Sequence, residues 1–156
     1  MSTSLSRVGL MLCIGTVRGF GFGFNAARSV SSRAPVAAME ATGPVCIVTG
    51  GSRGLGRSIA LALGGEGCRV VVNYAASAGA AESVVEEIKA LGGDGIAVQA
   101  DMSKPADIKA LFKTTADTWS DPVGVLVNNA GITRDTLAMR MKESQWTDVI
   151  NTNLNG

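Results

Sequence analysis

From Pro44 onward the apolar residues switch repeatedly between two spacings. The runs "PVCIVTG" (44–50), "CRVVVNY" (68–74), "IAVQAD" (96–101) and "VGVLVNNAG" (123–131) are short, largely continuous and rich in valine and isoleucine. Such runs suit strands of a parallel sheet covered on both faces. Between them the apolar positions recur at helical spacing. Residues 55–63 carry Ile59, Leu61 and Leu63 among small residues. Residues 78–91 place Ala81, Val84, Val85 and Ile88 on one face and turn Glu82, Glu86 and Glu87 outward, and "GGDG" stops the run. A third helix is predicted to take Ser103 as N-cap and Pro105 as an early residue, to end near Trp119, and to bury Ile108, Leu111 and Phe112. After a loop, Trp146, Val149, Ile150 and Leu154 mark the start of a fourth.

The order β-α-β-α-β-α-β-α predicts an α/β fold, a Rossmann-type doubly wound parallel sheet with strand order 3-2-1-4. The sheet is expected to be truncated after its fourth strand and the following helix. Strand 4 (Val123 to Asn128) then becomes an open edge.

The first forty residues follow neither pattern. They hold Arg7, Arg18, Arg28 and Arg33 and no acid before Glu40, with many serines. That is the composition of a transit peptide, expected to be unpacked, with a plastid as destination and a mitochondrion as the alternative. The apolar run "VGLMLCIGTV" (8–17) is too short to span a bilayer, so no membrane anchor is expected. "GFGFGF" imitates a dinucleotide loop, but no strand pattern precedes it. The domain reading is a leader over 1–40 and a nucleotide-binding unit over 41–156.

Charge and composition narrow the chemistry. The net charge of +1 divides into four leader arginines and a body of ten basic and thirteen acidic groups, a net of −3. A mildly acidic body has no footprint for nucleic acid. The chain has no histidine, which removes histidine bases, histidine triads and most zinc sites, so no metal is expected. Cys13, Cys46 and Cys68 lack metal-ligand spacing and read as small hydrophobes in a reducing compartment.

The concentrated chemistry lies where the first strand hands over to the first helix, in "TGGSRGLG" (49–56). Gly50 allows a tight turn, Gly54 lets backbone approach a pyrophosphate, and Gly56 lets the helix pack close to the strand. The unpaired amides of the new helix then face the phosphates, aided by the helix dipole. An acid that would bond a ribose 2′-hydroxyl is missing after the second strand, where "NYAAS" (73–77) stands and Glu82 is the first acid. Arg53 sits inside the loop, where a guanidinium can pair with a 2′-phosphate, so NADPH is expected over NADH.

This loop, with "NNAG" (128–131) at the end of the fourth strand and "AVQAD" (97–101), resembles the short-chain dehydrogenase/reductase family. The stretch "VNNAGITRDTLAMRMKESQWTDVINTNLNG" (127–156) is most similar to that family's plastid and bacterial 3-oxoacyl-[acyl-carrier-protein] reductases. The resemblance covers about residues 44–156. It implies NADPH/NADP+ as cofactor, a substrate linked to acyl carrier protein, and a homotetramer for the full-length protein. It implies cofactor contacts at Thr49, Gly50, Ser52, Arg53, Gly54, Leu55 and Gly56, at Asn73, at Asp101 and Met102, and at Asn129, Ala130 and Gly131. It makes Asn153 the helix asparagine of the catalytic machinery. Ala76 departs from it, standing where similar plant members often carry arginine.

The same resemblance requires a Tyr-x-x-x-Lys pair, with a tyrosine as proton donor. Tyr74 is the only tyrosine, and Ala78 stands four residues later. The expectation is therefore an N-terminal portion of a reductase, inactive alone. The alternatives are a non-catalytic nucleotide-binding fragment and a reductase acting on another ketone or alcohol.

Overall fold

A computed structural model describes residues 41–156. The expected leader and the "GFGFGF" stretch lie outside the described residues, as does Cys13. Four strands, β1 (Val45–Val48), β2 (Arg69–Tyr74), β3 (Asp94–Gln99) and β4 (Val123–Val127), form one parallel sheet in the order β3-β2-β1-β4. They alternate with helices α1 (Gly54–Gly65), α2 (Ala78–Ala90), α3 (Pro105–Thr118) and α4 (Glu143–Asn153).

Strands β1 and β2 are short apolar runs because both of their faces are covered, and successive side chains feed opposite cores. On one face Cys46, Val48, Val70 and Val72 pack with Ala60 of α1 and Ala81, Val84, Val85 and Ile88 of α2. On the other, Ile47 and Val71 meet Ala100, Met102 and Leu111. Each fully buried valine or isoleucine contributes roughly 1.5–3 kcal/mol. Helices α1 and α2 approach closely at Gly64, where an added Cβ would lie 2.8 Å from Ile88 Cγ2. The predicted stop of α2 is a left-handed glycine: Gly92 has φ 96°, and Gly93 N–H returns to the Ile88 carbonyl.

Several boundaries differ from the sequence reading. Strand β3 starts at Asp94, two residues early, because pairing with β2 begins at Arg69↔Asp94. Ser103 does not cap α3. Its hydroxyl donates to Asp101 Oδ1 at 2.7 Å, and Lys104 holds the N-cap position with no side-chain cap. On α3, Leu111 is buried whereas Phe112 is exposed. Helix α4 begins three residues before Trp146, where the Gln145 side chain accepts from Lys142 N–H at 3.0 Å, and a 3₁₀ turn (Ala138–Arg140) occupies the expected loop.

β4 pairs only with β1 and is one edge of the sheet, with Val125 and Leu126 exposed. No residue of α4 is buried, and Trp146 and Leu154 of its apolar set face outward. The core is thus concentrated on β1, β2 and the two helices behind them.

Within it Cys46 and Cys68 are free and buried. Burial, aided by the neighbouring Cys68 thiol, pushes the Cys46 thiol up to about 11. A raised pKa keeps that thiol protonated and unreactive throughout neutral pH. Iodoacetamide at pH 8 is therefore expected to leave Cys46 unlabelled in the folded chain and to label it fully in urea. Rapid labelling in the folded chain, read by peptide mass spectrometry, would contradict the packing described.

Candidate nucleotide cleft

The sheet order reverses at β1: the chain passes first to β2 and β3 on one side, then to β4 on the other. A crevice opens at the carboxyl ends of the strands at such a switch point, and ligands bind there in open α/β sheets. A cleft of about 710 Å³ occupies this place.

Its floor is the turn between β1 and α1. Gly50 (φ 62°) and Gly54 (φ 56°) both take left-handed conformations that side chains rarely adopt. Nothing stands within 4 Å of an imagined Cβ on Gly54, so the backbone there faces open space. At Gly56 a Cβ would instead collide with the Gly50 carbonyl and the Asn129 amide, which explains the third glycine as a packing requirement. Among the described residues, the amides of Ser52, Arg53, Gly54 and Leu55 have no hydrogen-bond acceptor. Unpaired amides at a helix N-terminus, reinforced by the helix dipole, favour an anion.

Behind the floor, side chains lock β1 to its neighbours. Thr49 Oγ1 donates to the Val127 carbonyl at 3.2 Å and accepts from Asn129 N–H at 3.0 Å and Ala130 N–H at 2.9 Å. Asn129 Nδ2 donates to the carbonyls of Thr49 and Gly50. On the other flank Asn73, 1% exposed, accepts from Gly50 N–H and donates to Val98 and Ala100.

The walls carry the charges. Arg53 is exposed on the cleft and has no ion-pair or side-chain hydrogen-bond partner among the described residues. The wall after β2 is Tyr74, Ala75, Ala76 and Ser77, without an acid. Beyond β3, Asp101 Oδ1 accepts from Ser103 Oγ and Ser103 N–H, and Lys104 Nζ lies 3.4 Å from Oδ2. The Ser103 hydroxyl, then its amide, with Lys104 contributing less, hold the Asp101 carboxyl below its usual range. Its folded pKa being depressed, the stabilisation is present above the unfolded carboxylate value and is lost as pH falls through the folded one.

The structure brings most of the sequence-predicted residues to one cleft: Gly50, Ser52, Arg53, Gly54, Leu55, Asn73, Asp101, Met102, Asn129, Ala130 and Gly131 line it. Leu55 projects from the start of α1 with 78% of its surface exposed. Thr49, Gly56 and Asn153 do not line it. Asn153, at the end of α4, faces the loop after β4: its Oδ1 accepts from Ile132 N–H at 2.8 Å and its Nδ2 donates to the Ile132 carbonyl at 3.0 Å. The sequence reading missed Arg134, Asp148, Asn151 and Thr152, which also line the cleft. Arg134 Nε lies 3.4 Å from Asp148 Oδ2. The spacing of 148, 151 and 152, one polar face of a helix, was the available signal.

The sheet, its helices and the glycine turn define a Rossmann-type α/β domain. The short chain dehydrogenase family model matches residues 44–156. The chain belongs to the short chain dehydrogenase family. It is 57% identical over 110 residues to 3-oxoacyl-[acyl-carrier-protein] reductase FabG of Staphylococcus aureus, covering 70% of this chain and 44% of the relative. It is 55% identical over 115 residues to the 3-oxoacyl-[acyl-carrier-protein] reductase of Synechocystis, covering 74% and 46%. Among solved structures it is similar to the angucycline C-6 ketoreductase LanV with bound NADP, with a TM-score of 0.68 and 33% identity over 74% of this chain and 47% of that one. The reductase LugOII, which catalyses a keto-reduction at C1, gives a TM-score of 0.68 and 31% identity, covering 74% and 50%. The chain spans about half the length of each.

Two glycine substitutions separate the roles of the turn. Gly56→Ala places a methyl against backbone and is expected to destabilise the fold by about 1–3 kcal/mol, as overpacking does. Gly54→Ala meets no neighbour, so its effects come from the left-handed φ and from the methyl entering the cleft. It is expected to reduce nucleotide affinity more than stability, the reverse of Gly56→Ala. Thermal unfolding and titration calorimetry on both variants check this ordering.

Proposed function

We propose that this chain supplies the cofactor-binding half of an NADPH-dependent reductase that converts 3-oxoacyl-acyl-carrier-protein to 3-hydroxyacyl-acyl-carrier-protein in fatty acid biosynthesis. The observation that carries the reading is the pairing of an anion-seeking glycine turn with an unpartnered Arg53, on a cleft whose β2 wall offers no acid for a ribose hydroxyl. The similarity to two 3-oxoacyl-[acyl-carrier-protein] reductases and to a ketoreductase with bound NADP supports it.

The fit of the dinucleotide rests on the open space before Gly54 and on the free amides around it. In this reading those amides hold the diphosphate, Arg53 the 2′-phosphate, and Asp101 and Met102 the adenine. Leu55 offers an apolar surface near the glycine turn. NADPH, when bound, would supply the hydride. Asn153 holds the loop at Ile132 and with it the end of the cleft near Gly131. The protein is proposed to assemble as a homotetramer at full length, and residues 1–40 to direct it to a plastid.

A second reading, a nucleotide-binding chain without turnover, is favoured by one observation. The only tyrosine, Tyr74, ends β2 and lines the cleft beside Ala75 and Ala76, with Ala78 rather than a lysine four residues on.

Arg53→Ala is expected to weaken NADPH binding by about 1.5–3 kcal/mol and NADH binding by far less, as loss of a charged hydrogen bond would. Equal losses would remove the 2′-phosphate from the reading. For turnover, NADPH oxidation at 340 nm with an acetoacetyl thioester is compared between this chain and one extended by a Ser and Tyr-x-x-x-Lys segment of a similar reductase. The extended chain is expected to turn over and this chain not to, since a positioned general acid contributes about 10²–10⁴-fold. NADPH binding without turnover by either would favour the second reading.

A further inference from the structure

Asn73 ends the buried part of β2 and has 1% of its surface exposed. The protein itself uses three of the four hydrogen-bonding positions of its side chain. Its Oδ1 accepts from Gly50 N–H at 3.1 Å, and Nδ2 donates to the carbonyls of Val98 at 3.3 Å and Ala100 at 3.1 Å. Its own backbone carbonyl accepts from Gly51 N–H at 2.8 Å. One residue therefore grips two consecutive amides of the turn after β1 and two carbonyls where β3 leaves the sheet. Donating to a ligand through Nδ2 would strand one of these buried carbonyls, which is costly, and at 1% exposure the side chain offers a ligand almost no surface.

We propose that Asn73 is a positioning residue for the dinucleotide rather than a contact to it. Gly50 and Gly51 bring no polar side chains with which to orient their turn, and Gly50 takes a left-handed conformation. Asn73 draws the amides of these two residues toward β2, while the next four, from Ser52 to Leu55, have no acceptor among the described residues. The same side-chain amide fixes the carbonyl of Ala100, the residue immediately before Asp101. One buried side chain thus ties the anion-binding turn to the wall at Asp101 and Met102, beside the bond from Ala100 N–H to the Tyr74 carbonyl. This assignment rests on the dinucleotide reading and adds a residue that acts through its neighbours.

The two functions of the amide separate by substitution. Asn73→Asp keeps an acceptor for Gly50 N–H and the side-chain shape, but loses both donors and sets a carboxylate against two carbonyls. Asn73→Ala loses the acceptor as well. Val84→Ala, in the buried face of α2, serves as a control that lowers stability away from the cleft.

The full 156-residue chain and its variants are titrated with NADPH by cofactor fluorescence, below the unfolding midpoint of each. Both Asn73 variants are expected to bind at least about tenfold more weakly, in line with an unsatisfied buried polar group. Val84→Ala is expected to unfold at lower temperature yet bind as the unsubstituted chain does. Wild-type affinity in a folded Asn73 variant would overturn the proposal, as would failure of both variants to fold, which would make Asn73 a requirement of the fold alone. Failure of the unsubstituted chain to bind NADPH is a separate outcome. It would remove the dinucleotide reading first and this proposal with it.

Discussion

The constraint on which the structure depends is the need to satisfy buried backbone polar groups where β1 ends. There the chain leaves the sheet between two strands of different origin, β2 on one side and β4 on the other. Every amide and carbonyl that stops pairing within the sheet must find a partner, because an unsatisfied buried group costs about 1–3 kcal/mol. Thr49, Asn73 and Asn129 meet that need from three directions. Among the described residues no buried side-chain nitrogen or oxygen lacks a partner. The residues that make a cleft possible are thus mostly occupied in holding the protein together.

This division of labour decides which groups remain for chemistry. Groups bonded within the protein form the floor, and the residues that line the opening with unpaired groups are Ser52 to Leu55, Arg53 among them. Preorganised donors are effective for anions because they do not have to reorient on binding. The glycines contribute by subtraction. Gly54 keeps the space in front of the backbone clear, while Gly56 removes a methyl that would push α1 off the turn.

Packing is distributed unevenly around the cleft. The flank formed by β1, β2, α1 and α2 is dense, whereas β4 and α4 keep Leu126, Trp146 and Leu154 largely exposed. The cleft therefore has one firm wall and one wall with little buried apolar surface behind it. Segments of the second kind open locally at low free energy. The pairs that join loop and helix on that side, Asn153 with Ile132 and Arg134 with Asp148, are exposed to solvent.

The sequence by itself determined the elements, their order and the position of the cleft. Continuous β-branched runs such as "VVV" (70–72) must be buried on both faces, and a glycine-rich turn between such a run and a helix has few other uses. The residues named in the glycine loop, after β3 and after β4 were legible because their spacing relative to the strands is itself local. The roles of Asn73 and Thr49 were not legible in this way. Whether a polar side chain faces a ligand or a buried amide depends on partners 20 to 80 residues away, and only the assembled sheet brings those together. Ser103 was a plausible cap by position, yet Asp101 was nearer to its hydroxyl once β3 had ended. The face of α4 bearing Asp148, Asn151 and Thr152 was likewise decided by tertiary packing: helical spacing groups these residues, but only the strand order turns them toward the cleft.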